Sequence, residues 1–215
     1  MGYGPPTKTL GDVMRAVKRQ FGDESGVQIE DTDFLTWVND AQTTINNRNR
    51  VLKTSATTPA VVGQASYSFP SDDIYILESV HFDGARIVNT SFSQAEESII
   101  GLDDAATGTP QLWFEWEGSI RFWPAPDRTD NITIYFTRKP TALTSVTPDT
   151  QLLDLPDKYF PDIVRYCLQQ AYEMDEDWTA SQAKKDQFDQ SVGDLGEQER
   201  VGQFMTYETI TVYND

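Results

Sequence analysis

The 215-residue sequence has one cysteine, Cys167, and one histidine, His81. A single thiol excludes an intrachain disulfide, and the two residues together are too few for a Cys/His structural zinc site. Positive charge is also scarce: 17 Lys and Arg stand against 34 Asp and Glu, a net charge of -17. Such a surface repels phosphate, so binding nucleic acid through counterion release is disfavoured. A wall of that sign still suits a conduit in which DNA slides without sticking. No apolar run approaches the ~20 residues that span a bilayer. Met1 to Pro6 lacks the basic and apolar regions of a signal peptide, so no membrane partner and a cytoplasmic origin are expected. Also missing are a P-loop, a Rossmann glycine fingerprint, a GxSxG elbow and an HExxH pair.

What is present supports a folded chain: 38% hydrophobic and 12% aromatic residues provide for a core. The acidity is uneven. Residues 1–53 carry seven basic and seven acidic side chains, residues 54–153 five and thirteen, and residues 154–215 five and fourteen.

Hydrophobic periodicity divides the chain into helix, strand and helix again. Leu10, Val13, Met14, Val17 and Phe21 recur at helical spacing before Gly22, and Phe34, Leu35, Val38, Ala41, Gln42 and Ile45 form a second stripe after a cap at Asp31 or Thr32. Alternation then takes over in Ala65–Phe69, Ile74–Phe82, Ala85–Val88, Leu112–Trp116, Ser119–Trp123 and Asn131–Lys139. Turns are expected at Asp83-Gly84 and Glu117-Gly118, and a short helix at Ser93–Ile100. Phe160, Ile163, Val164, Cys167, Leu168 and Ala171 make a third helical stripe. A sparser fourth, through Ala183, Phe188, Val192 and Leu195, runs to about Glu199, weakened by Gly193 and Gly196.

The expected fold class is therefore α+β. Residues 1–53 and 154–200 supply the halves of an antiparallel bundle of about four helices, residues 54–153 an inserted antiparallel β-region of five or six strands, and residues 201–215 an extended arm. That arm rests on the alternation from Phe204 to Tyr213, which has no partner nearby in sequence.

Candidate chemistry is thin, and no catalytic residue, metal or cofactor is assigned. Cys167 lies on an apolar helix face and reads as a small core hydrophobe, and His81 sits within a strand. Glu115 and Glu117 beside Trp113, Trp116 and Trp123 suggest stacking platforms and a carboxylate pair, the basis of an alternative carbohydrate-binding or glycoside-cleaving reading. The same pattern fits a half-buried hairpin, which buries at least one face of Trp113 or Trp123, whereas sugar platforms stand exposed. Asp72-Asp73, Asp103-Asp104 and Asp175–Asp177 lack the EF-hand spacing and read as solvated loop acids.

The order of several short phrases is more telling. Phe34-Leu35-Thr36-Trp37-Val38-Asn39-Asp40-Ala41-Gln42 precedes Tyr67-Ser68-Phe69-Pro70 and Val80-His81-Phe82-Asp83-Gly84. Ile120-Arg121-Phe122-Trp123-Pro124-Ala125-Pro126-Asp127 and Ile132 to Thr137 follow, and Leu155-Pro156-Asp157-Lys158-Tyr159 leads into the helix with Tyr166 and Ala171-Tyr172. From about Leu10 to Leu195 this arrangement resembles the adaptor proteins of the head-to-tail connector of tailed bacteriophages. The long β-insertion brings it nearest the podovirus-type gatekeeper adaptors, whereas other members are mostly helical.

The resemblance implies a non-enzymatic virion protein, present in the host cytoplasm before assembly. It implies a homo-oligomeric, commonly dodecameric, ring docked beneath the portal protein, with a tail nozzle or tail-tube protein below and genomic DNA passing through without specific binding. Another virion tail component, such as tail tube or head closure, is the neighbouring alternative. On this reading Phe204, Met205, Tyr207, Ile210, Val212 and Tyr213 are interface residues for the portal or an adjacent subunit, and Asp175, Glu176, Asp177, Asp186 and Asp189 are candidates to line the channel.

Overall fold

A computed structural model describes residues 5–69, 73–98, 106–144 and 150–208. The chain is α+β, with five α-helices and mainly antiparallel sheets among the described residues, and it divides into two compact units. One comprises Met1–Val51 with Pro140–Asp215, the other Leu52–Lys139. The insertion was expected to run over 54–153. The later part of that range joins the helical unit because its backbone is held there: Asn39 exchanges two hydrogen bonds with the main chain of Leu143, at 2.8 and 3.0 Å.

In the helical unit α1 is Leu10–Phe21 and α2 is Asp31–Asn49. Thr9 and Asp12 cap α1 reciprocally: Thr9 Oγ1 accepts the Asp12 N–H and Asp12 Oδ2 accepts the Thr9 N–H. Gly22, at φ 94°, ends the helix in the left-handed region where no Cβ intrudes. After a single 3₁₀ turn at Asp157–Tyr159 come α4, Phe160–Met174, and α5, Trp178–Glu208. The stripes read from the sequence meet around α4, which packs against α1, α2 and α5. Leu10, Val17, Phe34, Val38, Ile45, Ile163, Leu168 and Val192 are all fully or almost fully excluded from water. The N-terminal segment is tied to the same unit through Asp157, whose carboxylate accepts the backbone N–H groups of Thr7 and Lys8 and the Thr7 hydroxyl.

Two expectations are corrected here. The fourth helix was to end near Glu199 and the chain from residue 201 to be extended; instead α5 continues through Phe204, Met205 and Tyr207 to Glu208. An established helix adds one hydrogen bond per residue fixed, so it propagates through a Tyr/Thr alternation too short to nucleate a strand without a partner. The rest of the expected arm, including Ile210, Val212 and Tyr213, lies outside the described residues.

In the second unit the strands are β1 Lys53–Pro59, β2 Ser66–Ser68, β3 Ile74–Phe82, β4 Ala85–Arg86, β5 Val88–Asn89, β6 Thr107–Gly108, β7 Leu112–Trp116, β8 Ser119–Trp123, β9 Ala125–Pro126 and β10 Asn131–Arg138, with α3 at Phe92–Ser98. Two four-stranded sheets form, ordered β1-β10-β3-β4 and β2-β8-β7-β5, beside a two-stranded pair β6-β9. The long ladders are antiparallel, while the β5–β7 and β6–β9 pairs are parallel. Both expected turns are present, with positive φ at both central residues: Asp83 50° and Gly84 77°, Glu117 47° and Gly118 69°. That is the mirror-image turn whose twist suits a two-residue hairpin. The core gathers Val80, Phe82, Trp113, Ile120, Phe122, Ile132, Ile134 and Phe136 from both sheets. β1 had not been expected as a strand, because Lys-Thr-Ser-Ala-Thr-Thr-Pro shows no alternation of polarity.

Candidate interaction surfaces

The thiol and imidazole are accounted for locally. Cys167 is fully buried on α4, and burial pushes its thiol far above the ordinary range, which keeps it protonated and unreactive. His81 faces the Gly84 carbonyl with Nδ1 and the Ser79 hydroxyl with Nε2, each at 3.2 Å. A carbonyl can only accept, so Nδ1 carries a proton toward Gly84, and a hydroxyl can serve Nε2 as donor or acceptor. The ring also meets Tyr135 edge to face, with centroids 5.0 Å apart.

The tryptophan hairpin is a structural one. Trp113 is only 5% exposed and belongs to the core, so it offers no platform to a sugar. Trp116 is 39% exposed, yet one side of its ring lies against Phe92 of α3, at 4.3 Å between centroids. Glu115 is in β7 while Glu117 occupies the turn, so the two do not form a strand-spaced pair on one face. Among the described residues no group of three or more His, Cys, Asp or Glu gathers to hold a metal; Asp72, Asp103 and Asp104 lie outside them. Two shallow depressions in the helical unit, of about 350 and 370 Å³, share Arg165 and Gln187 on their walls.

Exposed apolar side chains mark the surface of each unit. In the helical unit Met174 and Trp178, 46% and 67% exposed, bracket the corner between α4 and α5. Asp175, Glu176 and Asp177 lie between them, all exposed. Glu176 turns the corner at φ 58°, and Asp177 caps α5 by accepting the Ala180 N–H at 3.0 Å. Of the five acids proposed for a channel wall, these three cluster at that corner. Asp186 lies further along α5, accepting from Gln182 at 2.8 Å, and Asp189 is paired with Arg48 of α2. The structure thus brings three of the five together and engages Asp189 in holding two helices.

In the other unit Val61, Val62 and Val88 are exposed, and so is β1. It is the terminal strand of its sheet and, apart from Ala56, every residue of it is exposed. Sequence reasoning missed it; the signal was the density of Thr and Ser before Pro59, residues that suit an edge.

A third feature was hidden in a loop read simply as acidic. Asp23 is 3% exposed and clamps the connection from α1 to α2, its carboxylate accepting the N–H groups of Val27, Gln28 and Ile29 at 3.0 to 3.2 Å. Burial raises its affinity for a proton, but the three backbone donors and the Ser25 hydroxyl together outweigh that and hold the carboxyl below its ordinary range.

Compared with known proteins, the chain matches the family model of the SU10 adaptor protein over residues 8–210, a span that takes in both units. No curated protein matches it.

Proposed function

Because the chain belongs to the SU10 adaptor family, a family of phage head-to-tail adaptors, we propose that it forms a homo-oligomeric, dodecameric ring between the capsid portal and a tail nozzle or tail-tube protein. The genome passes through this ring on ejection. The carrying observation is the extent of the match, which spans the helical and the β unit alike. A closed ring needs a heterologous interface, one face of each subunit against a different face of the next. The outer edge of β1, the terminal strand of its sheet, offers one such face. The packing of α1, α2, α4 and α5 is read as the four-helix bundle expected from the sequence.

For the lumen, we place Asp175, Glu176, Asp177 and Asp186 on the channel wall, where their charge keeps phosphate from adhering. A ring structure with these carboxylates on its outer surface eliminates that assignment and leaves the adaptor role standing.

The decisive experiment is mass photometry of the purified chain, alone and with the portal of the same virion. A portal complex carrying many copies is expected. A chain indifferent to the portal would overturn the reading and favour another tail component.

A further inference from the structure

On its outer side the β1 backbone pairs with no strand among the described residues. Register with β10 pairs Lys53 with Thr137 and continues without a shift to Pro59 with Asn131. Just beyond the ends, Leu52 accepts the Arg138 N–H at 3.0 Å and Ala60 donates to the Asp130 carbonyl at 2.8 Å. Bonded pairs alternate along an antiparallel ladder, so the even-numbered residues of β1 turn their N–H and C=O groups toward β10. Those of Lys53, Ser55 and Thr57, with the Pro59 carbonyl, point outward. Among the described residues no strand lies beyond them. Natural edges are blunted by charge, proline or brevity. The other terminal strands, β2, β4, β5, β6 and β9, have three residues or two. β1 has seven, guarded by Lys53 and Pro59 at its ends and uncharged from Thr54 to Thr58.

Its side chains are half-covered in a directional way. Thr58 stands opposite Ile132 and Ala56 opposite Ile134, so the even residues share the face of the core. Ile132 and Ile134 are buried there, whereas Thr58 is exposed and Ala56 partly so. The apolar face stops one strand short of full cover.

The seven residues after α5, Thr209-Ile210-Thr211-Val212-Tyr213-Asn214-Asp215, have the complementary pattern. Laid antiparallel on β1 with Thr209 opposite Pro59, they set Ile210 beside Thr58 and Val212 beside Ala56, extending the core face. Thr211 joins Thr57 and Thr133 on the other face, whose hydroxyls already meet at 3.1 Å. Asp215 falls opposite Lys53, so charge agrees with the same register. A slip of one residue would put both aliphatic side chains on the polar face.

We propose that the outer edge of β1 receives Thr209–Asp215 of a neighbouring copy as an added antiparallel strand, linking successive subunits head to tail. The inference rests on the ring reading above and specifies its subunit contact.

The test uses two full-length chains, one carrying Ala56→Cys and the other Val212→Cys, mixed with the portal and oxidised. Mass photometry reads ring formation, and non-reducing gel electrophoresis reads the disulfide. The pair faces one side of the ladder at non-bonded positions, where α-carbons lie within disulfide reach. A covalent heterodimer is expected, at least tenfold more abundant than with Thr211→Cys, which points to the opposite face. A single chain carrying both cysteines is expected to give a ladder of linked copies. If it instead closes on itself as a faster-migrating monomer, the exchange between copies is overturned. A ring without the disulfide overturns the inference and spares the adaptor reading; the heterodimer without portal binding supports the pairing and sinks the adaptor reading.

Discussion

A β-carbon built on Gly196 of α5 would stand 2.6 Å from the side-chain oxygen of Asn49 at the end of α2. Asn49 cannot turn aside freely: its Nδ2 donates to the Val192 carbonyl at 2.9 Å and to Tyr159 Oη at 3.4 Å. The glycine that weakens the helix in isolation is what allows α5 to approach α2. Gly193, three residues earlier, has nothing within 4 Å of its would-be β-carbon.

The two glycines should therefore answer oppositely to alanine. Gly193→Ala gains helix propensity, about 0.5–1 kcal/mol, and raises the thermal midpoint by a few degrees. Gly196→Ala has the same gain but an overpacking cost of roughly 1–3 kcal/mol, and its midpoint falls. In the Asn49→Ala background, Gly196→Ala should become neutral or stabilising. Thermal denaturation of the four variants measures this, and a Gly196→Ala protein as stable as the parent removes the close-approach argument.

Gln42 shows why an apolar stripe can carry an amide. It is fully buried, and its Oε1 accepts the Asp154 and Leu155 N–H groups at 2.7 and 3.4 Å. Gln42→Leu keeps the volume but leaves the buried Leu155 N–H and the half-buried Asp154 N–H without this acceptor, so a loss of about 1–3 kcal/mol is expected. Urea unfolding should show a lower midpoint at unchanged slope.

Asp23 sets an acid-sensitive latch. Its folded pKa lies below the unfolded value, so its stabilisation is present above about pH 4 and is lost as pH falls through the lower folded value. Asp23→Ala should lower the urea midpoint at pH 7, and the gap to the parent should narrow on acidification toward pH 3. A gap independent of pH would show that the carboxylate's charge is irrelevant to the loop.

Cys167 should report opening of the helical unit. Buried and protonated, it will resist a maleimide in the native protein and react fully in denaturant. Fast labelling under native conditions contradicts the packing around α4.

The apolar stripes of α1, α2 and α4 were readable because each needs only its own segment: Leu10 to Phe21, stopped at Gly22, is a local statement that tertiary packing leaves unchanged. The two hairpins were readable for the same reason, since Asp83-Gly84 and Glu117-Gly118 fix their turns by backbone preference alone. The family resemblance, carried by the order of short phrases, was likewise present in the sequence.

Only the tertiary structure decided the features that depend on what stands opposite. Lys53–Pro59 carries no periodic signal and is a strand because β10 lies beside it. Phe204 to Glu208 alternates like a strand and is helical because α5 already runs into it. Asp23 looked like one more loop acid until three backbone donors converged on it, and Gly196 looked like a weakness until Asn49 was placed against it. Periodicity reports how a segment divides its own surface between water and core. It carries no term for the neighbour, and an edge, a clamp or a close approach is a property of two segments at once.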